Sequence, residues 1–196
     1  SRGLVCATVE YRKAADKHAC ITDAKTAIRW FKQHADELGI DPNRVITGGG
    51  SAGGHISALA TLNPELNDPA DSKDVDTKVV AYLWFNPAFA LTDSKDAQID
   101  ILKHQKGELA PALVFFGDKD KWKEGWDIAY AKWKELGVKN IDLRIAEGQT
   151  HSFFNKEPWR AVTLIAADEF LVKQGLLKGE PTLKAPASGE KVVPKP

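Results

Sequence analysis

An α/β fold, with a mostly parallel sheet and helices on both of its faces, follows from three observations on the sequence. Short, nearly continuous apolar segments recur along its 196 residues, as in strands that are buried on both faces. Stretches with apolar residues at helical spacing alternate with them, which is the rhythm of strands joined by helical crossovers. Three consecutive glycines, Gly48 to Gly50, lead one such strand straight into one such helix, a tight turn of the kind found at strand carboxyl ends, where sites of parallel sheets lie.

Taken in order, Leu4 to Glu10 is apolar and β-branched and is expected to be an inner strand. From Ile21 the apolar residues Ala24, Ile28, Phe31, Ala35 and Leu38 mark one helical stripe, closed by Gly39 and followed by Pro42. Arg44 to Gly48 is a short strand, and Ile56, Leu59, Ala60 and Leu62 continue as a helix until Asn63-Pro64. A polar, acidic loop precedes the strand Val79 to Phe85, which stops at Asn86-Pro87. The strand Ala112 to Phe116, a helix marked by Trp122, Trp126, Ala129, Trp133 and Leu136, and the strand Ile141 to Ile145 come next. Trp159, Val162, Ala166 and Phe170 mark the last helix. Residues 1–177 are therefore expected to form one domain. The lysine, proline and glycine content of 178–196 predicts a disordered tail.

Composition narrows the function classes. Lysine plus arginine equals aspartate plus glutamate at 27 each, so the chain has no basic footprint for nucleic acid and no polybasic segment for a membrane surface. No apolar run approaches the roughly 20 residues that span a bilayer, so a soluble protein is expected, secreted if a signal segment precedes it. Cys6 and Cys20 are too few for a disulfide framework, and no cluster has metal-ligand spacing. No dinucleotide fingerprint appears either, and no cofactor is implied. The chain opens Ser-Arg-Gly, holds no methionine and enters a strand-like run at once, so a preceding segment is expected.

Chemistry concentrates at Gly49-Gly50-Ser51-Ala52-Gly53. This is a GxSxG pattern on a strand-to-helix turn, with Gly49 and Gly53 letting the two backbones approach around a strained serine. A phosphate loop would need GxxxxGK[ST], which is absent. At the start of a helix the backbone N–H of Ala52 points towards the site, ready for a developing oxyanion. A serine hydroxyl needs a base, and histidine has the suitable titration range. His151 follows the strand Ile141 to Ile145, in a loop at the sheet's carboxyl end. His55 is the rival, one turn beyond Ser51, but there it points along the helix and reads as structural. His18, His34 and His104 lie in polar, surface-like contexts. For the carboxylate that orients the imidazole, Asp120 is better placed than Asp118 to turn back over the strand end, and Asp93 is a minor alternative.

With these residues in place, the chain resembles an α/β-hydrolase esterase of the hormone-sensitive-lipase and acetyl-esterase-like branch. The resemblance rests on Gly49 to His55, on Val9-Glu10-Tyr11-Arg12 ahead of the first helix, on the acid loop Gly117 to Asp120 and on the histidine loop Gly148 to Phe153. It implies a serine carboxylesterase with nucleophile Ser51, base Ser51's partner His151 and acid Asp120, in the family's chain order. Bacterial esterases that remove acetyl or feruloyl groups from plant polysaccharides look similar, which implies a small, aryl or polymer-linked ester. Two departures stand out. The HGGG-type loop that supplies the second oxyanion donor would lie upstream of Leu4, so the fold is expected to be N-terminally truncated and half of the oxyanion hole is unaccounted for. The segment between the strands at 79–85 and 112–116 is short and polar where many relatives carry a cap, so an open site is expected near tryptophans such as Trp84, Trp122, Trp126 and Trp159, most of which are expected to be core.

Three alternatives accompany this reading: an open-cleft hydrolase of bulky aromatic esters or polyesters, a prolyl-oligopeptidase-type peptidase, and a catalytically impaired fragment or interaction module. The apolar segment Leu4 to Glu10, left as a sheet edge, suggests a homo-oligomer formed through it.

Overall fold

The structure, a computed structural model, describes residues 2–12 and 16–195. Five strands make one sheet in the order β1-β2-β3-β4-β5: β1 (Ile46–Gly50), β2 (Ala81–Phe85), β3 (Ala112–Gly117), β4 (Ile141–Ala146) and β5 (Val193–Lys195). The first four are parallel, from Ile46 opposite Ala81 to Gly117 opposite Ala146, and β5 runs antiparallel to β4. Parallel neighbours require crossovers. Here α3 (Ala52–Leu62) follows β1, and α5 (Lys123–Glu135) follows β3.

Side chains alternate between two cores, as a pleated sheet requires. Tyr82, Trp84, Val114, Phe116 and Leu143 face one core, which also takes Ile21 of α1 (Lys17–Gln33), Leu59 of α3 and Trp126 and Trp133 of α5. Ala81, Leu113, Phe115 and Ala146 face the other, where α6 (Trp159–Lys173) contributes Ala166, Phe170 and Leu171. Both faces are thus covered along β2 and β3, which is why these two strands are nearly continuous apolar runs. Helix ends follow local chemistry: the Asp16 carboxylate caps α1 by accepting from the His18 N–H at 3.0 Å. Gly39, in the left-handed region at φ 64°, closes the short α2 (Ala35–Leu38).

Three expectations need correction. Leu4 to Glu10 is not a strand: it is exposed along its length, with Leu4 at 42% and Val5 at 59%. Apolar, β-branched composition makes a strand only where a neighbour completes the ladder, and among the described residues β1 pairs with β2 alone. The sheet edge lies at β1, not at Leu4 to Glu10. The segment 86–111, read as short and polar, holds a 3₁₀ turn at Leu91–Lys95 and α4 (Ile101–His104), and it buries Phe89, Ile99, Ile101 and Leu109. The stretch 178–196, expected as a disordered tail, carries β5. Cys6 and Cys20 are both free thiols, one exposed and one buried. Among the described residues no helix is long and apolar enough to cross a membrane.

Candidate active site

The β1–α3 turn is locally strained. Ser51 sits at φ 54°, ψ −120°, a region that costs a non-glycine residue roughly 1–3 kcal/mol and persists only where surroundings over-determine it. They do so here. The Ser51 N–H donates to the Phe85 carbonyl at 3.0 Å, while the Ser51 carbonyl accepts from Ala88 at 3.0 Å, Gly54 at 3.1 Å and His55 at 3.3 Å. Close approach explains Gly49, whose Cβ would stand 2.6 Å from the Gly53 carbonyl carbon. At Gly53 itself an added Cβ would meet nothing within 4 Å among the described residues, so the pattern's two glycines do unequal work here. Gly50, before Ser51, leaves space for the Phe154 ring, which would lie 2.4 Å from its Cβ.

Three side chains from three strand ends converge at this turn. The Ser51 Oγ lies 2.7 Å from His151 Nε2, and His151 Nδ1 lies 2.8 Å from Asp120 Oδ2. Asp120 has a fully buried side chain. Its other oxygen accepts from the Trp122 N–H at 2.9 Å, so the carboxylate is fixed by the loop that carries it. An ionised carboxylate only accepts, so Nδ1 carries the ring proton and Nε2 presents a lone pair to the serine hydroxyl. Ala52 opens α3, with its backbone at the helix N-terminus beside Ser51.

The rival residues go elsewhere. His55 is buried, with Nε2 2.9 Å from the Ile99 carbonyl and 3.6 Å from Asp93 Oδ2. Burial pushes its imidazole below the ordinary range, against the opposing pull of Asp93. Asp93 is itself buried and accepts from Lys17 Nζ. Asp118 is exposed and lines a surface groove with Ile128, Ile145 and Lys195 that includes none of Ser51, Asp120 and His151. Trp84 and Trp126 are core residues with no exposure, whereas the half-buried Trp122 ring stands 6.1 Å from the His151 ring.

Sequence reasoning passed over Asn86. It was a strand stop ahead of Pro87, yet it is fully buried at φ 41° and reaches the site. Its Oδ1 accepts from the Ser152 N–H at 3.1 Å, and its Nδ2 stands 3.4 Å from His151 Nε2. The available signal was an asparagine, which tolerates positive φ, at the carboxyl end of the strand beside β1.

Comparison with known proteins agrees with this architecture. The BD-FAE family matches residues 1–107. The chain is similar to the probable carboxylic ester hydrolase LipM of Mycobacterium tuberculosis, 38% identical over 102 residues, which covers 48% of this chain and 23% of LipM. It is also similar to the carboxylic ester hydrolase LipN of the same organism, 28% identical over 182 residues, covering 76% of this chain and 48% of LipN. The chain thus spans less than half the length of these curated relatives. Among solved structures, Thermogutta terrifontis esterase 2 with propionate bound superposes with a TM-score of 0.79 at 31% identity, covering 88% of this chain and 72% of that one. The same esterase phosphorylated by paraoxon gives a TM-score of 0.79 at 31% identity, with 87% and 71% covered.

Proposed function

We propose, for a chain that belongs to the BD-FAE family and has the fold of the α/β-hydrolase esterases, that it is a serine carboxylesterase working through an acyl-enzyme. The observation that carries this reading is the unbroken line from Ser51 Oγ to His151 Nε2 and from His151 Nδ1 to the buried Asp120, at 2.7 and 2.8 Å. Ser51 attacks the ester carbonyl while its proton passes to Nε2. The tetrahedral oxyanion faces the Ala52 N–H at the start of α3. Collapse breaks the bond to the alcohol oxygen, which leaves with the proton from Nε2, and an acyl-serine remains. Water then attacks the acyl-serine, His151 accepts and returns one proton, and a carboxylic acid departs. Asp120 keeps the Nδ1–H tautomer and stabilises the imidazolium.

Short acyl groups are the substrates this reading favours. The solved relative holds propionate or butyrate. On the alcohol side Trp122 offers a ring face next to His151, which suits an aryl or sugar-linked leaving group.

The test is hydrolysis of p-nitrophenyl acetate and butyrate, with paraoxon as a titrant of Ser51. One diethylphosphoryl group per chain, mapped to Ser51, accompanies loss of activity. Ser51→Ala takes up none and loses on the order of 10⁶-fold in kcat. Hydrolysis retained in Ser51→Ala, or phosphorylation mapped to another residue, would end this assignment.

A further inference from the structure

Asn86 is a buried polar side chain at the site to which the acyl-transfer scheme gives no task. It is fully buried, and it is anchored on both sides: its backbone N–H donates to the Phe115 carbonyl at 2.7 Å, and its Oδ1 accepts from the Ser152 N–H at 3.1 Å. The second contact settles which way the amide faces. A backbone N–H only donates, so the atom opposite Ser152 must be the oxygen, and the NH₂ must then be the end 3.4 Å from His151 Nε2.

Two donors therefore face one lone pair. The Ser51 hydroxyl approaches Nε2 at 2.7 Å and the Asn86 amide at 3.4 Å. Three elements bring groups to the ring: the β1–α3 turn gives Ser51, the end of β2 gives Asn86, and the loop after β3 gives Asp120 and Trp122. Among these groups Asp120 alone is charged, and it lies on the Nδ1 side.

We infer that Asn86 is a positioning residue for His151: anchored by Ser152, its amide N–H₂ holds Nε2 as a neutral acceptor beside Ser51 and makes it a poor resting place for the proton. While Nε2 is unprotonated, the amide hydrogen complements its lone pair. Once Nε2 has taken the serine proton, two N–H groups face each other. The amide cannot turn to offer oxygen without losing the Ser152 N–H. The proton is thereby favoured to move on to the departing alcohol oxygen, and the balance of the scheme is unchanged: Oγ–H breaks, Nε2–H forms and breaks, and the alcohol O–H forms.

This inference rests on the serine-esterase reading, and two substitutions separate it from a structural role. Asn86→Asp keeps an acceptor for Ser152 and tolerates positive φ, but turns a carboxylate oxygen towards Nε2. Asn86→Gly removes the side chain and accepts the φ of 41° without strain. Both are compared with the unaltered chain by imidazole NMR titration, with the His151 signal assigned by its loss in His151→Gln, and by the pH profile of kcat/KM on p-nitrophenyl acetate.

In Asn86→Asp the His151 midpoint and the acid limb of kcat/KM both move to higher pH by about one unit. Activity at acid pH then falls about tenfold and recovers in alkali. Asn86→Gly lowers kcat about tenfold with KM held within about twofold. An Asn86→Asp chain that folds and titrates at His151 as the unaltered chain does would overturn the inference. If that variant does not fold, Asn86→Gly decides: loss confined to KM, or no loss at all, overturns it. The NMR arm does not need turnover, so a chain that hydrolyses no ester defeats the esterase reading while the titration still judges Asn86.

Discussion

Two buried aspartates in this fold each stand beside a histidine, and only one pair is arranged to move a proton. Asp120 meets His151 at Nδ1, 2.8 Å away, and leaves Nε2 facing the Ser51 hydroxyl. Asp93 stands 3.6 Å from His55 Nε2, which is already occupied by the Ile99 carbonyl at 2.9 Å, and Asp93 is also engaged by Lys17. An Asp–His contact is therefore not a catalytic device in itself. What matters is which ring nitrogen the carboxylate takes and what the other nitrogen faces. The first pair holds a lone pair open over a hydroxyl, whereas the second ties the 3₁₀ turn and the chain near Ile99 to the first turns of α3.

The sharpest way to break this contrast is to neutralise each carboxylate in turn. Asp120→Asn is expected to lower kcat by on the order of 10⁴-fold, because an amide oxygen or NH₂ at Nδ1 no longer fixes the tautomer. Asp93→Asn leaves kcat of the folded protein within about threefold and instead lowers stability by about 1–2 kcal/mol, since the half-exposed Lys17 returns to solvent. Equal losses of kcat in the two variants would erase the distinction.

A smaller effect comes from pH. Burial holds the His55 imidazole below its unfolded value, so between the two values the unfolded chain binds the extra proton. Stability from this site is complete above the ordinary histidine range and is lost as pH falls through it. Urea denaturation at about pH 7 and about pH 5 should show a larger loss for the unaltered chain than for His55→Gln, which has no imidazole to protonate. Parallel losses would place the acid sensitivity elsewhere.

A further expected change concerns Lys25 of α1, which takes no part in either pair. Lys25 is buried at 1% exposure, donates to the Asn63 carbonyl at 2.7 Å and to the Glu65 carbonyl, and is pushed down to about 8, chiefly by burial. Its charged form is penalised on folding, so stability rises as pH climbs from about 8 towards the unfolded lysine value of about 10.4. Lys25→Met should flatten that rise without altering kcat. A rise of the same size in the variant would assign it to another group.

Much of this was legible in the residues because its physics is local. The strands that became β2 and β3 are continuous apolar runs, since both faces of the sheet are covered there, and the stripes through Trp126 and Phe170 are helical for the same burial reason. Ser51 stood out because a strained strand-to-helix turn needs glycine beside it, and Gly49 meets Gly53 for that purpose. Other features depended on neighbours far along the chain. Leu4 to Glu10 has strand-like composition, but the ladder a strand needs lies outside its own sequence. Segment 86–111 looked polar because its buried residues, Phe89, Ile99, Ile101 and Leu109, follow neither a helical nor a strand period. Asn86 looked like a strand stop because Asn-Pro serves as one wherever it occurs.

The sequence by itself determined the alternating strands and helices, the glycine-flanked serine at the start of α3, and the set of aspartates and histidines placed just beyond strand ends. Only the tertiary structure decided which of them meet: Ser51 with His151 across 100 residues, His151 with Asp120 across 31, and Asn86 with Ser152 across 66. The reason is geometric. Periodicity and turn chemistry act over a few residues, whereas the approach of strand ends depends on the order and register of the whole sheet.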